Sequence, residues 1–134
     1  MTNKTDKRIK GLKSNIKGLS FEEKVNNYFS KQGWQTELRK PMLGSEYDIY
    51  GEKSELMTKK YLIVECKNKP KLTKSEFVHF ASKANKFYLS LPQNYLGVRP
   101  SVTAVIAFTG TVDNDIITAA QASIPQIILK QFKI

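Results

Sequence analysis

Cysteine and histidine are nearly absent from this sequence, since Cys66 and His79 are the only ones among 134 residues. A single cysteine excludes an internal disulfide, and no Cys/His cluster has the spacing of a zinc site. No apolar run approaches the roughly 18 residues that span a membrane, and no apolar segment follows the basic N-terminus as in a secretory signal. We therefore expect a soluble, cytoplasmic protein that does not act in a membrane.

Acidic residues are also scarce: 12 Asp or Glu stand against 22 Lys or Arg, which gives a net charge of +10. Residues 1–19 contain six basic residues and one Asp, a balance of +5, and residues 20–134 contain sixteen basic and eleven acidic residues, also +5. The excess is therefore not confined to one end. DNA or RNA is the leading partner class for such a chain, and an anionic membrane surface is second. A basic protein without a polyanionic partner is the plain alternative.

The length and the seven Phe, six Tyr and one Trp suit a single globular domain. Residues 1–18 are rich in lysine and show little hydrophobic periodicity. We expect them to form a flexible basic N-terminal arm, which either becomes ordered on a polyanion or has no role. The folded domain is then residues 19–134.

The most informative stretch is residues 61–67, because it places charges inside an apolar run. Its apolar residues do not alternate with polar ones, which predicts a strand that is buried on both faces. Glu65 and Lys67 are two residues apart and therefore project from the same face, whereas Cys66 points to the other. A buried charge is costly unless it is paired or bound to a metal, so this arrangement indicates a site. Cys66 itself is expected to be a small core residue.

Hydrophobic periodicity and turn residues predict the remaining elements. Capping-box patterns start two helices, at Ser20 with Glu23 and at Thr73 with Glu76. Lysines 74, 83 and 86 are expected to lie outside the apolar stripe of the second helix. The predicted strands are residues 34–39, 45–51, 61–67, 102–108 and 124–129, and the predicted helices begin at 20, 73 and 113 or 114. This order, αβββαβαβ, implies a single-domain α/β fold with a central mixed five-stranded sheet flanked by helices.

Two further carboxylates are expected near Glu65. The strands 45–51 and 61–67 follow one another through a polar loop, residues 52–60, so they form a hairpin that brings Asp48 beside Glu65. On the first helix, Glu22 lies about 60° from the centre of the apolar face and can look into a site at its edge. A plain surface carboxylate is the alternative for Glu22.

Two carboxylates on neighbouring strands form an oxygen-rich corner that suits Mg²⁺ or Mn²⁺. A lysine beside them can hold or deprotonate a water molecule, or neutralise the charge that builds up on a phosphorane. Hydrolysis of a phosphodiester needs this combination of groups. The positive charge of the domain would then bind the backbone phosphates.

The residues around Asp48 and Glu65 resemble the motifs of the PD-(D/E)xK nuclease superfamily. The resemblance is carried by Glu46-Tyr47-Asp48-Ile49 and by Leu62-Ile63-Val64-Glu65-Cys66-Lys67-Asn68. Within the superfamily the chain is similar to the Mrr-like restriction endonuclease group over about residues 20–130. Phe21-Glu22, Gly33-Trp34, Lys74 to Phe80, Phe108-Thr109-Gly110, Ala119-Ala120 and Ile127-Ile128 add to this likeness.

The resemblance implies a restriction-endonuclease-like fold and a role for each motif residue. Asp48 and Glu65 would bind the metal together with the backbone carbonyl of Cys66, and Lys67 would be the catalytic lysine. Glu22 would be the helical carboxylate that binds the metal or its water. Tyr47 stands where the superfamily's name has proline. Many Mrr relatives have Gln where this chain has Glu65, and Glu is closer to Holliday-junction resolvases and to the wider superfamily.

Three functions remain open at this stage. The first is a Mg²⁺-dependent DNA endonuclease of the Mrr-like type. The second is a Holliday-junction resolvase, and the third is a non-catalytic nucleic-acid-binding domain with a vestigial site. A homodimer is expected if both strands of a duplex are cut, because two sites related by a two-fold axis do this most simply. Glu46 is an extra acid, for which pairing with a lysine is the simplest role.

Overall fold

The structure is a computed structural model that describes residues 20–56 and 58–133. The basic arm predicted for residues 1–18 lies outside the described residues. The elements follow one another in the predicted order, αβββαβαβ. They are α1 (residues 20–31), β1 (Gln35–Met42), β2 (Ser45–Glu55), β3 (Thr58–Lys67), α2 (Lys74–Ser90), β4 (Val102–Phe108), α3 (Asn114–Ala122) and β5 (Ile127–Gln131).

The five strands form one sheet in the order β1-β2-β3-β4-β5. The strands β1, β2 and β3 are antiparallel neighbours, whereas β4 is parallel to β3 and β5 is parallel to β4. Parallel neighbours need a crossover, and α2 and α3 provide the two that this sheet requires. The prediction of a single-domain α/β fold with a mixed five-stranded sheet is confirmed for the described residues.

Helices cover both faces of the sheet, and β3 lies in the middle. Residues Leu62, Ile63 and Val64 of β3 are fully buried, which confirms a strand without a solvent-facing side. The cluster on the α1 face contains Phe21, Val25, Phe29, Ile49, Leu62, Val64, Val105 and Ala107. The cluster on the α2 and α3 face contains Tyr47, Ile63, Phe77, Phe80, Phe87, Ala104, Ile106, Ile116 and Ala120.

The predicted end of α1 at Gly33 is confirmed. Gly33 has a φ of 96°, and its N–H donates to the carbonyl of Ser30 at 3.1 Å. The N–H of Trp34 donates to the carbonyl of Phe29 at 3.3 Å, which completes a Schellman motif. At the other end, Ser20 is already helical, so it does not occupy the non-helical cap position predicted for it.

The hairpin of β2 and β3 is longer than predicted, so the prediction of a polar loop over residues 52–60 is wrong. Ladder pairing between the two strands continues to Glu55 and Thr58. This extension is polar on both faces and therefore lacks the alternation that predicts a strand. Ion pairs join its strands instead: Lys59 to Glu52 at 3.1 Å and Lys60 to Glu55 at 3.0 Å.

Three other boundaries compare with the prediction as follows. The capping box of α2 is present, since Thr73 and Glu76 each bond the other's backbone N–H. The strand β4 has the predicted bounds. The strand β5 begins at Ile127 rather than at residue 124, because Pro125 has no N–H for the sheet ladder. None of the described helices combines the length and the apolar character needed to cross a lipid bilayer.

Candidate active site

The candidate site lies where β2 separates from β3. Ladder pairing between these strands reaches Ile49 and Val64 and does not continue to Asp48 and Glu65. Instead, the carboxylate oxygen Oδ2 of Asp48 accepts a hydrogen bond of 2.8 Å from the backbone N–H of Cys66. A side chain thus takes the place of the next backbone partner. The carboxylate of Asp48 is held against the end of β3.

The structure brings Asp48 and Glu65 together, as the sequence predicted. The Glu65 side chain is 13% exposed and projects on the α2 face of the sheet. Burial, followed by the charge and hydrogen bonding of Asp48, raises the pKa of Glu65 to about 7, against the lowering effect of Lys83. Two neighbouring carboxylates repel one another when both are ionised. A cation beside them is therefore favourable.

Lys67 projects from the same face as Glu65. Its Nζ atom lies 3.9 Å from Oε1 of Glu65 and 3.6 Å from Oε2 of Glu76 on α2. Lys69 pairs with the same oxygen of Glu76 at 3.1 Å. The ammonium group of Lys67 thus lies within ion-pair distance of two carboxylates, and the side chain as a whole is 29% exposed.

Cys66 contributes its backbone rather than its thiol. The N–H and the C=O of one strand residue point to the same neighbouring strand. Because the N–H of Cys66 points to Asp48, its carbonyl faces the same side, where a metal ligand was expected. The side chain packs against the core cluster under α1. Burial, followed by the charges of Asp48 and Glu22, raises the pKa of the thiol, which is consistent with a core residue.

Glu22 lies near the carboxylate pair but has its own partner. Its side chain is 17% exposed, and its Oε2 atom lies 3.3 Å from Nε of Arg39 on β1. Burial, then the charge of Asp48, raises the pKa of Glu22; Arg39 lowers it and Glu46 raises it. Glu22 is thus close enough to feel the charge of Asp48 while Arg39 holds its carboxylate.

Lys83 is the residue of this site that the sequence analysis missed. It was expected outside the buried stripe of α2, but only 8% of it is exposed, and its Nζ lies 3.2 Å from Oε2 of Glu65. One sequence pattern could have located Lys83. It is seven residues, or about two turns, from Glu76, so the two residues share a side of the helix. Glu76 already had a predicted place in the capping box.

The donor set fits a hard divalent cation with few protein ligands. Among residues 20–56 and 58–133, no three Asp, Glu, His or Cys side chains are grouped so that they could hold a metal together. Asp48 and Glu65 offer two carboxylates, and the carbonyl of Cys66 faces the same side. Mg²⁺ is commonly bound by one or two carboxylates together with waters and phosphate oxygens. This set suits Mg²⁺ or Mn²⁺ and does not suit zinc.

Comparisons of the chain with protein-family models, with curated proteins and with solved structures gave no match. The likeness to PD-(D/E)xK nucleases therefore depends on the motif residues and on the geometry described above.

Proposed function

We propose that this protein is a Mg²⁺-dependent DNA endonuclease with a PD-(D/E)xK active site on a restriction-endonuclease-like fold. The observation that carries the proposal is the meeting of Asp48 and Glu65 where β2 leaves β3, with Lys67 beside them. A divalent ion bound there would polarise the scissile phosphate and lower the pKa of a bound water.

The residues of the chain have separate tasks in this proposal. Asp48 and Glu65 would hold the ion, and the backbone carbonyl of Cys66 would complete the protein ligands. Lys67 positions the attacking water or stabilises the negative charge that develops on the phosphate. Glu22, held by Arg39, would orient a water on the α1 side of the carboxylate pair.

Positive side chains flank the carboxylates and suit a DNA backbone. Arg39 lies on β1 on one side of the site and is 53% exposed. Lys69 lies just beyond β3 on the other side and is 41% exposed. The part of the chain from residue 20 onwards carries a balance of +5, so DNA phosphates would be attracted to the domain as a whole.

The test is cleavage by wild type and Lys67→Ala, each with Mg²⁺ and with EDTA. Linear duplex and four-way junctions are compared side by side, because the sequence left both substrates open. We expect wild type to cut only with Mg²⁺ and Lys67→Ala to lose at least about 100-fold in rate. DNA binding should change little. Equal cleavage by the variant, or cleavage in EDTA, would contradict the proposal.

Lys59→Ala is the matched control for this assay. Lys59 lies on the same strand, about 26 Å from Lys67 at 3.3 Å per residue, and pairs with Glu52. Its removal takes away the same charge without touching the site. It should therefore cleave at close to the wild-type rate.

A second candidate is a non-catalytic nucleic-acid-binding domain. One observation favours it: Glu65 already has Lys83 as a counter-ion at 3.2 Å. Binding of DNA without cleavage under any divalent metal, with Mn²⁺ tested beside Mg²⁺, would support this candidate over the nuclease.

A further inference from the structure

We propose that Lys83 is a positioning residue that acts as the built-in counter-cation of the Asp48/Glu65 pair and keeps the pair assembled when no divalent ion is bound. The first part of this inference concerns the metal-free protein and is independent of the proposed function. The second part, the effect on metal affinity, rests on that function.

The ammonium group of Lys83 connects the three elements that form the site. Lys83 belongs to α2. Its ammonium group pairs with Glu65 of β3 at 3.2 Å and donates a hydrogen bond of 2.5 Å to the backbone carbonyl of Glu46 on β2. Glu46 is two residues before Asp48. One side chain therefore fixes the strand that carries Asp48 relative to the carboxylate of Glu65.

Tyr47 holds Lys83 in this position. The ammonium nitrogen of Lys83 lies 4.8 Å from the centre of the Tyr47 ring, a favourable place for a cation. The hydroxyl of the same tyrosine donates to the backbone carbonyl of Lys83 at 3.2 Å. Tyr47 is 1% exposed, so this support is part of the core. Tyr47, which replaces the proline of the superfamily motif, thus contacts both the ammonium group and the backbone of Lys83 and holds this lysine in place.

Lys83 and Lys67 lie near different oxygens of the Glu65 carboxylate. Lys83 contacts Oε2, whereas Lys67 lies 3.9 Å from Oε1. A fixed ammonium on one oxygen sets the rotation of the carboxylate and leaves the other oxygen for a further ligand. The same positive charge repels a divalent ion nearby. Lys83 should accordingly stabilise the empty site and weaken the binding of metal.

A double-mutant cycle in metal-free protein at pH 8 tests the first part. Lys83→Met keeps the length of the side chain but leaves Glu65 buried without its cation, so the unfolding equilibrium constant should rise at least about tenfold. In the Glu65→Gln background the same substitution should raise the unfolding equilibrium constant by a factor at least about tenfold smaller, because no carboxylate charge is left unpaired at residue 65. Lys83→Arg should recover part of the loss.

Lys86→Met is the matched control. Lys86 lies on the same helix and also bonds a backbone carbonyl of the β1–β2 hairpin, that of Leu43 at 2.9 Å, but is exposed and contacts no carboxylate of the site. Its loss should change the unfolding constant by less than about threefold. Equal effects of Lys83→Met with and without Glu65 would overturn the inference. So would a double variant that fails to fold, since the role of Lys83 would then be packing.

Titration with Mn²⁺ in the absence of DNA tests the second part. We expect Lys83→Met to bind Mn²⁺ at least about fivefold more tightly than wild type, because a neighbouring positive charge is gone. Unchanged or weaker binding by the variant would overturn this part. If neither protein binds Mn²⁺ and the coupling to Glu65 persists, the counter-cation role stands and the proposed nuclease function fails.

Discussion

Asp48 accepts a 2.8 Å hydrogen bond from the backbone N–H of Cys66, so the strand that carries Glu65 and Lys67 also fixes Asp48. The carboxylate of Asp48 therefore has a structural task in addition to its proposed role as a metal ligand. We expect Asp48→Asn to keep the hydrogen bond through its amide oxygen, whereas Asp48→Ala leaves the Cys66 N–H without a partner. Both variants should lose metal binding and cleavage.

Thermal unfolding separates the two effects of Asp48. Without metal, Asp48→Ala should be less stable than Asp48→Asn by about 1 kcal/mol, the usual contribution of one hydrogen bond. Asp48→Asn should equal or exceed wild type, because it removes a like charge from Glu65. A variant that keeps full cleavage despite the loss of this carboxylate would contradict its assignment as a ligand.

The metal-free protein should lose stability as the pH rises from about 5 to about 8, through the titration of Glu65. Burial, and then Asp48, raise the pKa of Glu65 to about 7, so the folded state binds this proton more tightly than the unfolded state. The resulting stability is complete below the unfolded pKa and is lost as the pH passes the folded one. Relative to Glu65→Gln, wild type should lose on the order of 2 kcal/mol. Urea unfolding of both proteins across this range, in EDTA, measures the difference.

Glu22 should have a smaller effect on cleavage than either carboxylate of the pair. Arg39 holds its carboxylate at 3.3 Å, and contact with the ion is expected only through water. We expect Glu22→Gln to lower the cleavage rate about tenfold, because a positioned water is less well oriented, with little change in metal affinity. Loss of metal binding equal to that of Asp48→Asn would show instead that Glu22 is a direct ligand.

Gly110 allows the backbone that follows β4 to approach the backbone that follows β3 closely, because it has no Cβ atom. A Cβ atom at this position would lie 2.2 Å from the carbonyl oxygen of Pro70 and 2.3 Å from that of Lys69. We expect Gly110→Ala to destabilise the protein by more than about 2 kcal/mol, since backbone on both sides must move. Chemical denaturation is the measurement. Gly44→Ala is the control: its φ of 76° is unfavourable, but no atom lies within 4 Å, so about 1 kcal/mol is expected.

The sequence predicted the elements that are fixed by local chemistry or by uniform burial. The apolar run of β4 gave its bounds, and the Thr73/Glu76 capping box gave the start of α2. The approach of Asp48 to Glu65 was predictable because consecutive strands pair and because the side-chain period of a strand is two.

The features that the sequence did not predict depend on tertiary contacts. Lys83 is a lysine at the edge of a phenylalanine stripe, and its burial is favourable only because Glu65 and the carbonyl of Glu46 meet it across the helix–sheet interface. The outer part of the β2–β3 hairpin, residues 52–55 and 58–60, is polar on both faces and has no hydrophobic period; ion pairs such as Lys59 to Glu52 join its strands. Neither feature follows from propensity alone.

The most direct test of the account is a crystal of this protein soaked in Mn²⁺ and measured for anomalous scattering. We predict a peak between the carboxylates of Asp48 and Glu65, within ligand distance of the Cys66 carbonyl. The peak should vanish in Asp48→Asn crystals and persist in Glu22→Gln crystals. Fully soaked wild-type crystals with no peak at the carboxylate pair would contradict the assignment of a shared metal and, with it, the nuclease.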